Sequence, residues 1–390
     1  MKKNTVLTAL LMAMSFLAGY SQQWDTAHIT AGNSQRQYKT YHHQSGQQQM
    51  KVVLMLHGLG GSMNDVDLTS WKAIADTANM LLVSPQALDY TVPLAGNIGA
   101  CWNSGIVLEN TPLGTLTLNP DVDDAGFLKS LIDTVKSRFS VDGDKIYVCG
   151  FSNGGFMTQR LICEAPGQFR AAASASGTRA LAIQNCAGKT IPMAHFHGTD
   201  DGVVTWQGVF NSGIITAQAG ISVDSLMHYW QNRHQSVYVD SINFGSAADP
   251  VWMTHYRYAH NGRERTALYK IHNGTHSWYN YANTNNKFDM ALEMWKFFLN
   301  QDDASLSITA HKEIQFSIYP NPSGDQLYIS TDQKDWKQYR ITDFMGRTLQ
   351  QAAFHNAVID IATLAAGSYF LTLTNENGLN YSTRFIKKPS

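Results

Sequence analysis

The chain has 390 residues, 44% apolar and 15% charged, and its 29 Lys and Arg against 30 Asp and Glu leave a formal net charge of −1. A balance this close to neutral offers no basic surface for phosphates, so a nucleic-acid partner is not expected. Seventeen Tyr, seventeen Phe and nine Trp supply stacking surface suited to sugar or aromatic ligands, although most such rings belong to a core.

Met1–Ser21 has a basic start at Lys2 and Lys3, an apolar run from Val6 to Ala18, and small residues at Gly19 and Ser21. That is the pattern of a cleavable signal peptide, cut near Ser21–Gln22, and not of a membrane helix. No other stretch is long and apolar enough to span a bilayer. Export makes disulfides available to the four cysteines.

His28–His43 is polar with alternating Tyr and reads as the leading strands of a sheet. Val52–Leu56 is a continuous apolar run, the mark of a strand covered on both faces. It ends in His57-Gly-Leu-Gly-Gly61, a loop able to offer a backbone N–H to an oxyanion. Trp71–Met80 suits a helix and Leu81–Pro85 the next strand. Ala95–Pro120 is rich in Gly, Asn and Thr without helical period, and is expected to be a long functional or mobile loop. Asp121–Ser140 is an amphipathic helix with Phe127, Leu128, Leu131, Ile132, Val135 and Phe139 on one face. Capping and the helix dipole explain Asp121, Asp123 and Asp124 at its start, and their spacing matches no calcium loop.

Lys145–Cys149 alternates toward a buried strand, Gly150-Phe-Ser-Asn-Gly154 follows at once, and Met157, Leu161 and Ile162 open a helical pattern. This is G-x-S-x-G in the strand–turn–helix setting its mechanics require. The glycines let strand and helix backbones approach, and Ser152 is lifted to the tip of the turn above a helix N-terminus. The competing reading is a glycine-rich turn with an incidental serine. Chain order speaks against it. A short strand from Pro192 runs into Gly198-Thr-Asp-Asp201, and Ala267–Ile271 is another strand ending in His272-Asn-Gly-Thr-His-Ser-Trp278. Asp201 and His276 therefore follow Ser152 in the order Ser, Asp, His. Each stands just beyond the C-terminal end of a strand, where open α/β sheets place their sites.

His195 and His197, two apart on a buried strand with no third partner nearby, read as structural; no metal and no organic cofactor is expected. Cys163 ends the helix after Ser152 and Cys186 lies in the loop before the Asp201 strand, and these two are the favoured disulfide. Cys149 reads as a small buried hydrophobe, while Cys101 is free or paired. Lys287–Leu299 is the closing helix. Near Gln301–Glu313 the character changes, and from Ile314 short alternating strands are separated by turns at Pro320–Gly324, Met345-Gly346, Ala366-Gly367 and Asn375–Gly378. The expected fold class is α/β: a mostly parallel sheet flanked by helices (22–300), a linker (301–313) and a small C-terminal β-sandwich (314–390).

From about Lys51 to Asn300 the chain resembles the polyhydroxybutyrate depolymerase and feruloyl/acetylxylan esterase family, carbohydrate esterases with an α/β-hydrolase fold. The resemblance is carried by Leu56-His-Gly-Leu-Gly-Gly-Ser62, Cys101-Trp-Asn103, Asp123-Asp-Ala-Gly-Phe127, Gly150-Phe-Ser-Asn-Gly-Gly-Phe-Met157, Arg160-Leu-Ile-Cys-Glu164, His197-Gly-Thr-Asp-Asp201 and Gly274-Thr-His-Ser-Trp278. It implies a nucleophile at Ser152, a base at His276, and an acid at Asp201, since the family's His-Gly-Thr-x-Asp pattern passes over Asp200. Backbone N–H groups of Leu59 and Asn153 would form the oxyanion hole. Leu59 stands where many relatives have Cys, a change that leaves a backbone N–H untouched. Trp102, Asn103 and Trp278 are the candidates for the pocket wall.

The C-terminal module closely resembles the type A sorting domain of the type IX secretion system, through Tyr319-Pro-Asn-Pro322, Asp343-Phe-Met-Gly346, Gly367-Ser-Tyr-Phe-Leu371 and Arg384-Phe-Ile-Lys-Lys388. That implies a partnership with the type IX machinery and an extracellular or outer-membrane-surface location. The function so implied is a secreted serine ester hydrolase that removes feruloyl or acetyl groups from plant polysaccharide through an acyl-enzyme. It is preferred because the accessory module reads as a sorting domain, not a polymer-binding one. The alternatives are an extracellular polyhydroxybutyrate depolymerase and a non-catalytic binding protein on the same scaffold.

Overall fold

The structure, a computed structural model, describes residues 24–42, 49–92, 96–183, 186, 188–302, 316–331, 335–343, 347–355, 357–376 and 380–388. The expected signal peptide at 1–21, most of the 301–313 linker and the turn at Met345-Gly346 lie outside the described residues. Ten strands form one sheet: β1 (Asp25–Ala31), β2 (Ser34–His42), β3 (Met50–Leu56), β4 (Met80–Pro85), β5 (Val141–Phe151), β6 (Ala171–Ala175), β7 (Met193–Gly198), β8 (Val237–Phe244), β9 (Trp252–His260) and β10 (Arg263–His272). Their order is β1-β2-β4-β3-β5-β6-β7-β10-β9-β8. From β4 across to β10 neighbours run parallel, and antiparallel hairpins close both edges.

The central strands are apolar throughout because both faces are covered. Val52, Leu54 and Leu56 of β3 point to one core, and Val53 and Met55 to the other, as the two-residue strand period requires. The first core is roofed by α1 (Asp124–Arg138), α2 (Asn153–Glu164) and α3 (Val223–His234). The second takes the short helix Trp71–Ala75 and α4 (Met290–Leu299). Among the described residues no helix is long and apolar enough to cross a membrane.

Helix starts sit later than periodicity alone suggests, because capping side chains fix them. Asp123 Oδ1 accepts from the Gly126 N–H at 2.8 Å and Asp289 Oδ1 from Leu292 N–H at 3.1 Å, so these helices begin at Asp124 and Met290. Asp124 itself is fully buried; its Oδ1 lies 2.6 Å from Arg36 Nη2 and its Oδ2 accepts the Asn103 N–H at 2.7 Å. The expected helix at Trp71–Met80 stops at Ala75, because the chain turns at once into β4.

The expected long loop at Ala95–Pro120 is also revised. Gly96–Ala100 pairs with Asp89–Val92, and Val107–Thr111 with Gly114–Thr117. Cys101, Ile106, Leu108, Leu116 and Leu118 bury a small third core together with Phe156 and Val204. Hairpins this short carry too few alternating residues for their period to show in the sequence. Cys163 and Cys186 are joined as a disulfide, whereas Cys101 and Cys149 are buried free thiols. Burial pushes the Cys101 thiol up to about 12.

The C-terminal module holds a three-stranded and a four-stranded antiparallel sheet. Leu327, Ile329 and Ile359 of one share a core with Ile341, Leu371 and Phe385 of the other, which makes it a sandwich.

Candidate active site

Ser152 occupies the turn between β5 and α2 with φ 54° and ψ −119°, a conformation costing a non-glycine residue about 1–3 kcal/mol. The surroundings hold it there: Ser152 N–H donates to the Ala175 carbonyl at 2.8 Å, and its own carbonyl accepts from Phe156 N–H at 3.0 Å. A Cβ on Gly154 would overlap the Leu56 and His57 carbonyl oxygens, so the sharpness of the turn depends on that glycine.

Asp201 and His276 are brought together by their loops. Asp200 N–H donates to Gly274 O at 2.9 Å, Thr199 N–H to Ile271 O at 2.8 Å, and Asn273 N–H to Thr199 Oγ1 at 2.8 Å. A side chain on Gly198 would collide with the Gly274 carbonyl, so the two loops pack backbone to backbone. Asp201 is 3% exposed; its Oδ1 accepts from Val203 N–H at 3.0 Å and Val204 N–H at 2.9 Å. His276 Nδ1 lies 2.8 Å from Asp201 Oδ2, and its Nε2 lies 3.0 Å from Ser152 Oγ. Asp200 is exposed and accepts only from its neighbour Thr199 Oγ1. Burial pushes the Asp201 carboxyl up, but the His276 hydrogen bond and charge, then His197 and the Val204 N–H, outweigh it and hold the group below its ordinary value.

The His57–Gly61 loop lies against the serine: a Cβ on Gly58 would stand 3.4 Å from Ser152 Cβ. Gly60 N–H donates to Ala100 O at 2.8 Å, which ties this loop to the 96–101 segment. The N–H groups of Leu59 and Asn153 meet no acceptor among the described residues. The Asn153 side chain is engaged instead with the neighbouring loop: Oδ1 accepts Trp102 N–H at 2.7 Å and Nδ2 donates to Ser104 Oγ at 2.9 Å.

The pocket-wall expectation is corrected at Trp102. Trp102 is 0% exposed, stacked at 6.5 Å on Phe127 and donating its Nε1–H to His57 O at 2.9 Å; it is a core side chain bracing the His57–Gly61 loop from below. Asn103 staples its own loop, donating Nδ2–H to Val122 O at 2.9 Å while its carbonyl accepts from Arg160 Nη1 at 2.6 Å. Trp278 is half-buried near the site, edge-on to Phe151 at 6.2 Å, and Phe151 in turn packs 4.9 Å from the His276 ring. Phe151 thus borders the candidate triad, and its place directly before the serine is the sequence signal for it.

A buried hydrogen-bonded row backs Asp201. His197 Nε2 donates to Val204 O at 2.8 Å, which leaves Nδ1 as the acceptor for His195 Nε2–H at 3.1 Å. His195 Nδ1 must then accept from Ser174 Oγ at 2.8 Å, and Ser174 Oγ accepts from Gln159 Nε2 at 2.8 Å. Both histidines are 0% exposed; burial holds His195 well below its ordinary value, and lowers His197 against the pull of Asp201 and the Val204 carbonyl. The row ends on the peptide unit beside the Val204 N–H that donates to Asp201.

Residues 42–240, about half of the chain, match the phospholipase/carboxylesterase family, and the chain belongs to that family, on an α/β-hydrolase fold. Residues 317–388 match the secretion system C-terminal sorting domain, which marks the protein for type IX export to the cell surface or beyond. Among curated relatives, the chain is 28% identical over 188 residues to a probable feruloyl esterase C of Aspergillus terreus, covering 44% of this chain and 59% of that one. It is 25% identical over 159 residues to the bifunctional acetylxylan esterase/xylanase XynS20E of Neocallimastix patriciarum, 40% of this chain and 20% of that one. It is 27% identical over 126 residues to the poly(3-hydroxyalkanoate) depolymerase C of Paucimonas lemoignei, 32% of this chain and 27% of that one. The chain thus spans between about a fifth and three-fifths of the length of these relatives.

Proposed function

We propose that the chain is a secreted serine carboxylic ester hydrolase that removes feruloyl or acetyl groups from plant polysaccharide. The observation that carries the reading is the continuous contact from Asp201 through His276 to a serine held in a strained turn. In this reading Ser152 Oγ attacks the ester carbonyl while His276 Nε2 takes its proton, and Asp201 stabilises the imidazolium and fixes its tautomer. The Leu59 and Asn153 N–H groups receive the oxyanion, each contributing about 3–4 kcal/mol in comparable sites. The tetrahedral intermediate expels the alcohol, which takes the proton from His276. Water then attacks the acyl-enzyme, returning a proton to His276 and then to Ser152 as the acid leaves.

The accompanying organisation is a signal peptide (1–21), hydrolase (22–300), linker (301–313) and sorting domain (314–390), with the type IX machinery as the export partner. The likeness to the Paucimonas depolymerase supports a second reading, cleavage of hydroxyalkanoate polyester by the same chemistry. Parallel hydrolysis of methyl ferulate, acetylated xylan and hydroxybutyrate oligomers separates them. Turnover of either of the first two, absent in Ser152→Ala, is the expected result. Turnover confined to the oligomers selects the second reading. Failure of an active-site fluorophosphonate to label Ser152 would leave a binding protein on the hydrolase scaffold.

A further inference from the structure

At the sheet edge opposite the candidate active site lies a cleft of about 460 Å3, lined by the guanidinium groups of Arg233, Arg263 and Arg265 together with Thr190, His234, Gln235, His260 and Asn261. Its position follows from the topology. The cleft gathers the approach to β7, the C-terminal end of α3 and the turn from β9 to β10, whereas Gly198 and His272 mark the other ends of β7 and β10. The ten residues of β10 put about 30 Å between the two edges. A substrate seated at Ser152 therefore does not fill this cleft.

Its charge comes from the start of β10, where Arg265 is the extra residue of a β-bulge. Arg263 and Arg265 both line the cleft, and Glu264 between them turns away from it, its Oε1 lying 2.7 Å from His255 Nε2. No lining residue is acidic. Arg265 has no ion-pair or hydrogen-bond partner among the described residues, and burial together with Arg263 and Arg170 works against its charge. Arg233 makes one long bond, Nη2 to Gly188 O at 3.4 Å, and its Nε is buried without a partner. The last turn of α3 offsets part of the Arg233 charge, and the Gln235 carbonyl accepts from His260 Nδ1 at 2.9 Å. Among the described residues no carboxylate pairs with Arg233 or Arg265. Partly desolvated like charges are costly, and an anion seated between these two removes the cost.

We infer that this cleft is an anion-binding site for a phosphate-class dianion, free or carried on a sugar. Several guanidinium groups exceed what a single carboxylate neutralises, and Arg forks match the oxygens of a phosphate. The site stands apart from the ester chemistry, and its test does too. Inorganic phosphate, glucose 6-phosphate and glucuronate are titrated calorimetrically into the full chain at neutral pH and low salt. The variants are Arg265→Gln on the sheet and Arg233→Gln on the helix, checked by circular dichroism and by ester hydrolysis, both expected at wild-type values.

Saturable phosphate binding that weakens roughly tenfold or more in each variant is the expected result. Tighter binding of glucose 6-phosphate than of inorganic phosphate assigns the anion to a sugar, and equal binding assigns it to the free ion. Absence of saturable binding by either phosphate overturns the inference, as does binding that both variants retain. Glucuronate bound as tightly as phosphate overturns the choice of a dianion.

Discussion

Replacing Asp201 by Asn tests the candidate site through a single atom. In the native arrangement Oδ1 accepts two backbone N–H bonds, from Val203 at 3.0 Å and Val204 at 2.9 Å. An Asn in that place has to keep its carbonyl oxygen toward those donors, so its NH2 group takes the position of Oδ2, 2.8 Å from His276 Nδ1. A proton on Nδ1 would then face amide hydrogens at the nearer position and keep only Oδ1, 3.0 Å away and already accepting two backbone N–H bonds. The imidazole is driven to the tautomer with hydrogen on Nε2, pointing at Ser152 Oγ 3.0 Å away, and cannot take the serine proton. The expected loss in kcat/KM is on the order of 10⁴-fold, about 5 kcal/mol of transition-state stabilisation. The fold should survive, since both Val N–H bonds are kept. The assay is hydrolysis of p-nitrophenyl acetate across neutral pH, with circular dichroism as the check on folding. Asp200→Asn, altering an exposed carboxylate bonded only to Thr199, should stay close to wild type. A folded Asp201→Asn within about tenfold of wild type would refute the tautomer argument.

Gly154→Ala places a methyl group against the Leu56 and His57 carbonyl oxygens and should cost more than about 2 kcal/mol in urea unfolding. The matched control Gly167→Ala, with open space around it, should change stability by less than about 0.5 kcal/mol. Asp124→Ala strands the buried Arg36 guanidinium and frees the Asn103 loop, a loss of about 3–5 kcal/mol measured by the same unfolding titration. Stability should also fall in mild acid. His234 is pushed from its ordinary 6.5 down to about 4 by burial and then Arg265, so below pH 6.5 the unfolded chain binds a proton that the folded chain refuses. Its contribution is fully present above that pH and declines toward pH 4, by up to about 3 kcal/mol. Unfolding curves in that window should be flatter for His234→Asn; an unchanged slope would exclude His234 as the source.

What the sequence disclosed depended on how far each signal reached. The Ser152 turn was legible because glycine spacing, strand alternation and helical period meet within a dozen residues, and Asp201 and His276 because each ends an apolar strand. The hairpins of 89–117 and the 205–266 segment with α3, β8 and β9 were not read. Their strands are short, half-exposed or interrupted by bulges, and their partners are set by tertiary pairing. Trp102 shows the same limit at one residue. An indole beside Asn103 in a long polar loop suggests a ligand wall, yet its place is decided by the His57 carbonyl and the Phe127 ring, distant in sequence. Asp124 was read as a capping or dipole residue, and only the fold reveals Arg36 across from it.

The row from Gln159 to Val204 has a direction: every hydrogen points toward the Asp201 loop, and none can be reversed without orphaning the Val204 carbonyl. Two imidazoles whose hydrogens all run one way line up their dipoles toward the peptide that holds the carboxylate. The Val204 segment that grips Asp201 is thereby tethered, group by group, to Gln159 on α2.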